Sequence, residues 1–152
     1  MDYISPIKKK VKNRLSEAEI LVGIEIKEKE PWIRKKIRQR WLLGKKPDGS
    51  FIGVYSNSAF GAEYAFFKNK INSSPGIGNV DLTLTGALGK GIKVSGFNDK
   101  YEIYSTDKKF DLISNKYGLY NFNITEEEKT ELFKIIYDNI NNLILNYCYG
   151  VL

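Results

Sequence analysis

Asp107 and Asp111 stand four positions apart, at the spacing of one helical turn, and form a candidate pair of reactive carboxylates. Two acids one helical turn apart can bind a hard cation or share a proton. The same residues suit the start of a helix, because Asp107 can cap it and Asp111 then falls in its first turn, where negative charge is favourable. We take the helix start as the stronger interpretation of the pair.

The chain contains no histidine, which removes the commonest general base and the commonest metal ligand. Cys148 is its only cysteine, so an internal disulfide and a thiolate cluster are both excluded. Because Cys148 lies in an apolar segment, we expect a buried, inert thiol rather than a nucleophile. We therefore expect a protein that is not an enzyme and that binds no cofactor and no metal.

The glycine-rich segment Gly86–Gly91 superficially resembles a phosphate-binding loop. A P-loop needs four residues between its first glycine and Gly-Lys-Ser/Thr, and the dinucleotide motif needs G-x-G-x-x-G after a strand. This segment has neither spacing. We expect it to be a flexible or tightly turning connection.

The positive charge of the chain lies in its N-terminal part. Residues 1–50 carry 14 Lys and Arg against 7 Asp and Glu, whereas the whole chain has a net charge of +6. The densest stretch, residues 31–46, has no acid and is predicted to be a helix with its basic side outward. It can bind a protein partner, contact DNA phosphates or be a solvated surface, and we favour the protein partner. The candidate partner-binding residues are Trp32, Arg34, Lys35, Arg38, Arg40 and Lys45.

A chain of 152 residues with 42% hydrophobic residues is long enough for one domain with a real core. Residues 1–13, with Pro6 and a run of lysines, are predicted to be a flexible basic arm, and residues 14–152 to be the domain. No apolar run reaches the roughly 20 residues of a membrane span, and the N-terminus lacks the order of a signal peptide. We expect a cytosol-like compartment unless a larger particle carries the chain.

Two helices are predicted before residue 45. Ser16 and Glu19 have the form of a capping box that opens a helix to about Lys29, although residues 20–24 also fit a short strand. Pro31 suits the first turn of the next helix and Gly44 its left-handed end. Apolar residues recur every four positions between them, at Ile33, Ile37 and Trp41.

The rest of the chain predicts a small sheet and further helices, hence an α+β fold in which a small antiparallel sheet packs with N-terminal helices and a long C-terminal helix. A Lys45–Ser50 turn and a short strand over 51–55 precede a loop over 56–79, which has a helical turn near Phe60–Phe67. The predicted strands are Asp81–Thr85, Ile92–Ser95 and Tyr101–Ser105, with a turn at Gly96–Lys100. The predicted helices are one capped by Thr106 or Asp107 and closed by Gly118, and one that runs from a Thr125/Glu128 capping box to about Tyr147.

Several segments resemble small neck proteins of tailed bacteriophages, in particular those of the crAss-like phages of Bacteroides. In that head-tail joining and tail-completion family, a Thr-Gly-x-Leu turn leads into a strand pair and then a helix that ends near a glycine. Thr85–Leu88 and Tyr117–Gly118 match this pattern, and the likeness spans about residues 38–125. The segments that carry it are Arg40–Gly44, Asp48–Ser56, Val80–Leu88 and Tyr101–Gly118.

The resemblance implies a structural virion protein, assembled in the host cytoplasm and located in the neck or tail. Such a protein forms a cyclic homo-oligomer of about twelve copies that follows the symmetry of the portal. Its partners are then the portal and other neck or tail proteins, with non-specific DNA contact in the lumen and no membrane. The alternative from the residues alone is a DNA-binding accessory protein that uses the basic helix 31–46.

Overall fold

A computed structural model describes residues 4–97 and 100–149, with side chains at 12, 17–96, 100–143 and 145. Within these residues it has six α-helices and one antiparallel pair of strands, so the predicted α+β class is confirmed. The elements are α1 (Ile4–Glu28), α2 (Glu30–Leu42), α3 (Ala59–Ile71), α4 (Ala87–Lys90), β1 (Ile92–Phe97), β2 (Lys100–Ser105), α5 (Phe110–Tyr117), a 3₁₀ helix (Leu119–Phe122) and α6 (Glu126–Tyr149).

The chain divides into two compact units. The first unit comprises α1, the hairpin segment Val94–Glu102 and α6 from Thr130 onward. The second unit comprises Pro31–Lys93 and Ile103–Lys129. The predicted division into an arm of residues 1–13 and one domain over 14–152 stays a prediction.

Helix α1 begins at Ile4, so the predicted start at Ser16 is wrong, and so is the alternative of a strand over 20–24. Pro6 is no obstacle, because proline is tolerated in the first turn of a helix. Within the first unit α1 approaches β1 closely, since a Cβ on Gly96 would lie 2.4 Å from the Gly23 carbonyl oxygen. Asn139 Nδ2 of α6 donates to Glu25 Oε2 of α1 at 2.8 Å.

The core of the second unit is built on α2, as predicted. Ile33, Ile37 and Trp41 are all fully buried. The Trp41 indole packs edge-on against Phe122 with ring centroids 5.1 Å apart, and its N–H donates to the Asn121 carbonyl at 3.0 Å. A buried tryptophan with its one donor satisfied contributes its full apolar surface to the core.

Two strand predictions and two loop predictions need correction. Asp81–Thr85 is not a strand, because the Asp81 carboxylate binds the Thr83 N–H at 3.0 Å and this local bond competes with a strand ladder. Residues 51–55 form only isolated bridges, Lys45 with Phe51 and Val54 with Asn79. The predicted 56–79 loop contains the whole of α3, and the Gly86–Gly91 connection contains the short helix α4.

The remaining local predictions are largely confirmed. Residues 92–95 and 101–105 are strands, but β1 runs on to Phe97, and the predicted turn lies partly outside the described residues. Helix α5 ends at Gly118, whereas Asp107 binds the N–H of the N-cap residue Lys109 rather than capping α5 itself. The capping box of α6 is present, and the side chain of Cys148 lies outside the described residues.

Candidate functional site

The second unit has a cleft of ≈ 720 Å³ between α3, the 80–88 segment and α5. Its volume is in the range of ligand-binding pockets. We call it the aromatic cleft. Its lining combines aromatic residues (Tyr55, Phe60, Tyr64, Tyr117), aliphatic residues (Val80, Leu82, Leu84, Leu88, Leu112, Ile113) and charged residues (Lys68, Asp81, Asp107, Lys108, Lys109, Lys116).

The N-terminus of α3 positions the aromatic wall of the cleft. Ser58 caps the helix, because its Oγ accepts the Gly61 N–H at 3.1 Å. Position 61 must be glycine, since a Cβ there would lie 2.1 Å from the Ser56 carbonyl oxygen. This tight start places Phe60 and Tyr64, one helical turn apart, on the same side of α3.

The aromatic side chains of this wall contact one another. The rings of Tyr55 and Tyr64 meet edge-on with centroids 5.2 Å apart, and Phe60 stacks nearly parallel to Tyr64 at 6.5 Å. Phe60 is nevertheless 78% exposed. The wall is therefore ordered by its own packing and still offers apolar surface to a partner.

A buried ion pair between Lys68 and Asp81 forms one end of the cleft. Lys68 Nζ donates to Asp81 Oδ1, and both side chains are almost completely buried. The same carboxylate accepts the Thr83 N–H at 3.0 Å, the Thr83 hydroxyl at 2.8 Å and Asn72 Nδ2 at 3.0 Å. With four donors around it, Asp81 holds the 80–88 segment in place and has little capacity left to bind a ligand.

The environment of this pair shifts three pKa values. Burial alone raises the pKa of Asp81, but the hydrogen bonds from Lys68, Thr83 and Asn72 outweigh it and lower that pKa below its ordinary value. Burial raises the pKa of Tyr55 far above its ordinary value, and the Asp81 charge adds to the increase. Burial and Asp81 also raise the pKa of Tyr64. Both tyrosines stay neutral hydrogen-bonding groups at neutral pH.

The rim of the cleft is basic. Lys108, Lys109 and Lys116 are exposed on or just before α5. The lining contains two acids, Asp81 and Asp107. Because Asp81 is paired with Lys68, Asp107 is the acid that offsets the charge of these three lysines. An apolar cleft with this rim favours a ligand that combines apolar groups with negative charge.

The predicted partner-binding residues lie on α2 and the turn after it, outside the lining of the cleft. Lys35 and Arg38 are exposed, and Trp32 and Arg34 are half-buried. Lys45 is half-buried with its ammonium 3.4 Å from the centroid of the Phe51 ring.

The predicted outward orientation is wrong at Arg40, which is 8% exposed. Its Nη1 donates to Glu128 Oε2 at 3.0 Å and its Nη2 donates to the Asn123 carbonyl. Burial lowers its pKa, while the Glu128 carboxylate acts in the opposite direction. Arg40 lies three residues after the buried Ile37, on the same face of α2, and its side chain is therefore directed inward.

The carboxylates Asp107 and Asp111 do not form a shared site with other ligands. Asp107 Oδ1 accepts the Lys109 N–H at 2.8 Å, and Asp111 is exposed in the first turn of α5. Across the described part of the chain, no group of three or more His, Cys, Asp or Glu residues is placed to hold a metal ion.

No pattern in the sequence indicates the cleft as a whole. The alternation of Asp81 and Thr83 with leucines predicts a strand, although Asp-x-Thr also fits a side chain that binds the backbone two residues on. The pairing of Lys68 with Asp81 joins positions 13 apart through tertiary structure.

Among the described residues no helix is long and apolar enough to cross a membrane. Comparison with family models, with curated proteins and with solved structures finds no match for this chain.

Proposed function

We propose that this chain is a structural subunit of the neck of a tailed bacteriophage, where copies form a ring between portal and tail and join adjacent virion proteins. The observation that carries the proposal is the exposed apolar surface of the second unit. Large apolar side chains are exposed on α3 and around it, and such surfaces mark protein interfaces. They are Val54, Phe60, Phe66, Phe67, Ile71, Ile77 and Leu112.

The resemblance to phage neck proteins involves the same region. Three of the segments that carry it contribute to the aromatic cleft, at Tyr55–Ser56, at Val80–Leu88 and at Lys116–Tyr117. The Thr85–Leu88 turn and the end of α5 at Tyr117 both border the aromatic cleft. This placement supports a role of the cleft as a binding surface. The proposal includes a cyclic homo-oligomer of about twelve copies and a location in the virion neck.

A structural role is favoured over an enzymatic one by the state of the acids. Asp81 is saturated by hydrogen bonds, and Asp107 is engaged with the Lys109 backbone. A carboxylate that acts as a general base must lie within hydrogen-bonding reach of a substrate proton. Neither Asp81 nor Asp107 is held in such a position.

The direct test is mass spectrometry of purified particles of the virus whose genome encodes the chain, combined with electron microscopy of the purified protein. We expect the chain in the particles at the copy number of a ring, and rings in the images. Its absence from particles would end the proposal.

A DNA-binding accessory protein is the second candidate. Lys35 and Arg38 favour it, because both are exposed on one helix. Arg40 does not contribute, because Glu128 and Asn123 already bind its guanidinium. Two exposed cations on α2 support weak, salt-sensitive binding at most.

A further inference from the structure

One wall of the aromatic cleft is a row of three side chains that is apolar in the middle and basic at both ends. Lys109, which directly precedes α5, is followed by Leu112 and Lys116 at i+3 and i+7, so the three residues lie on one face. All three line the cleft and are exposed, Leu112 by 68%. The two lysines are separated by about 10 Å along the helix axis. We call these three residues the α5 row.

The aromatic wall on α3 continues beyond the cleft. Phe60, Tyr64 and Phe67 follow one another at i, i+4 and i+7, and the ring centroids of Tyr64 and Phe67 are 6.2 Å apart. Phe60 and Tyr64 line the cleft, whereas Phe67 lies outside the lining and is 50% exposed. These rings also extend over about 10 Å of helix. A small ligand confined to the cleft would leave Phe67 exposed, whereas a segment of protein can cover the whole surface.

The lining of the cleft has a positive charge. Lys68 and Asp81 neutralise each other, and the remaining charged side chains are three lysines and Asp107. The other acids of α3 and α5, Glu63 and Asp111, lie outside the lining. Two basic ends around an apolar centre are complementary to a segment with acids on both sides of an apolar side chain.

We propose that the aromatic cleft binds a segment of a neighbouring virion protein in which a large apolar side chain lies between two acidic residues. The apolar side chain packs between Leu112 and the rings of α3, and the two acids pair with Lys109 and Lys116. An aromatic and aliphatic centre with a charged rim is the usual composition of a protein interface. This inference rests on the proposed function, and it names the chemistry of the contact with the partner.

The experiment titrates the isotope-labelled full chain with blocked pentapeptides and follows its amide signals by NMR. The probe is Glu-Ser-Phe-Ser-Glu, because in an extended conformation its acids and its ring lie on one face, with the acids about 13 Å apart and within reach of the two lysine side chains. Gln-Ser-Phe-Ser-Gln is the matched neutral peptide. We expect the acidic peptide to shift signals of the cleft lining with a Kd below about 1 mM, and the neutral peptide to bind about tenfold more weakly.

A charge-reversal variant, Lys109→Glu with Lys116→Glu, tests the two ends of the α5 row. Both positions are exposed, so the fold tolerates the changes, and circular dichroism verifies this. We expect the variant to lose binding of the acidic peptide and to bind Lys-Ser-Phe-Ser-Lys instead, a gain that misfolding cannot produce. The control is Lys35→Glu with Lys90→Glu, which changes the net charge equally at exposed positions outside the lining and should bind the acidic peptide as wild type does.

Four results would overturn the inference. The first is the absence of saturable shifts in the lining with the acidic peptide, and the second is equal affinity for the neutral peptide. The third is tighter binding of dodecanoate than of the acidic peptide at the same signals, which would make the cleft a site for small amphiphilic carboxylates. The fourth is wild-type self-association that the charge-reversal variant abolishes, which would make a second copy of the chain the occupant.

The two proposals can fail separately. If the chain is present in particles at the copy number of a ring while the acidic peptide does not bind, the neck function stands and this contact is wrong. If the acidic peptide binds with the expected charge dependence while the chain is absent from particles, the cleft is a binding site for acidic and apolar segments and the neck function is wrong.

Discussion

The guanidinium of Arg40 and the carboxylate of Glu128 lie 3.0 Å apart and join α2 to the start of α6. The same Glu128 oxygen accepts the Thr125 N–H at 2.8 Å, and Thr125 Oγ1 accepts the Glu128 N–H at 3.1 Å. One carboxylate thus completes the capping box and neutralises the most deeply buried cation of α2. The start of α6 and the orientation of α2 depend on each other through this residue.

Replacing Arg40 by Met should lower the free energy of unfolding by about 3 kcal/mol, because it removes the counter-charge of the Glu128 carboxylate and the guanidinium donor to the Asn123 backbone carbonyl. Lys35→Met removes the same charge from the exposed side of α2 and should cost less than about 0.5 kcal/mol. Urea unfolding of both variants measures the difference. Equal stabilities would show that the Arg40 pair contributes nothing.

The sequence predicts half of this arrangement. The Thr125/Glu128 capping box is local, and a four-residue pattern suffices to identify it. Arg40 is 88 positions from Glu128, and in the sequence it belongs to an unbroken basic run. Its inward orientation depends on how α2 packs, so charge patterning alone assigns it to the surface.

The same division between local and tertiary information runs through the second unit. The stripe of Ile33, Ile37 and Trp41 is predictable because helical periodicity records which face is buried. The aromatic cleft is not, because it combines α3, the 80–88 segment and α5, and the sequence pattern over α3 predicts a loop. The strand prediction at Asp81 is wrong because alternation with leucines is common to a strand and to this loop.

The ion pair of Lys68 and Asp81 gives a second prediction. Asp81→Asn leaves a buried ammonium without its counter-charge and should lower the free energy of unfolding by about 3–5 kcal/mol. The double variant Lys68→Met, Asp81→Asn should recover part of that loss. Asp48→Asn is the matched control, because Asp48 also binds a residue two positions on, Ser50, but is exposed. A loss for Asp48→Asn as large as that for Asp81→Asn would contradict the role of burial.

The pH dependence of stability follows from the lowered pKa of Asp81. A carboxylate with a depressed folded-state pKa stabilises the protein fully above its unfolded-state value of about 3.9, and this contribution is lost as the pH falls through the folded-state pKa. Wild type should therefore lose more stability than Asp81→Asn when the pH is lowered from about 5 to 2. Chemical unfolding at each pH measures both curves, and parallel curves would exclude Asp81 as the titrating group.

Gly44 offers a prediction about backbone conformation. Its φ of +65° is left-handed, and a Cβ there would lie 2.7 Å from Pro75 Cβ and 2.9 Å from the Val80 carbonyl oxygen. Gly44→Ala should cost about 3 kcal/mol, because strain and collision add. Gly49 has a φ of +82°, and no atom of the described residues lies within 4 Å of the place that an added methyl group would take. Gly49→Ala should therefore show the conformational cost alone, about 1 kcal/mol. Thermal unfolding of both variants separates the two contributions, and equal losses would show that the neighbours of Gly44 yield.

The salt dependence of DNA binding separates the two candidate functions. Each phosphate contact adds about 0.9 to the slope of log affinity against log salt concentration. With Lys35 and Arg38 as the exposed cations of α2, we expect weak binding with a slope of about 2, measured by fluorescence anisotropy on a short duplex. Lys35→Ala with Arg38→Ala should remove most of this slope, whereas Lys134→Ala, an exposed change on α6, should leave it unaltered. A slope above about 5 would need many more phosphate contacts than α2 exposes, and it would make DNA rather than a protein partner the ligand of the basic surface.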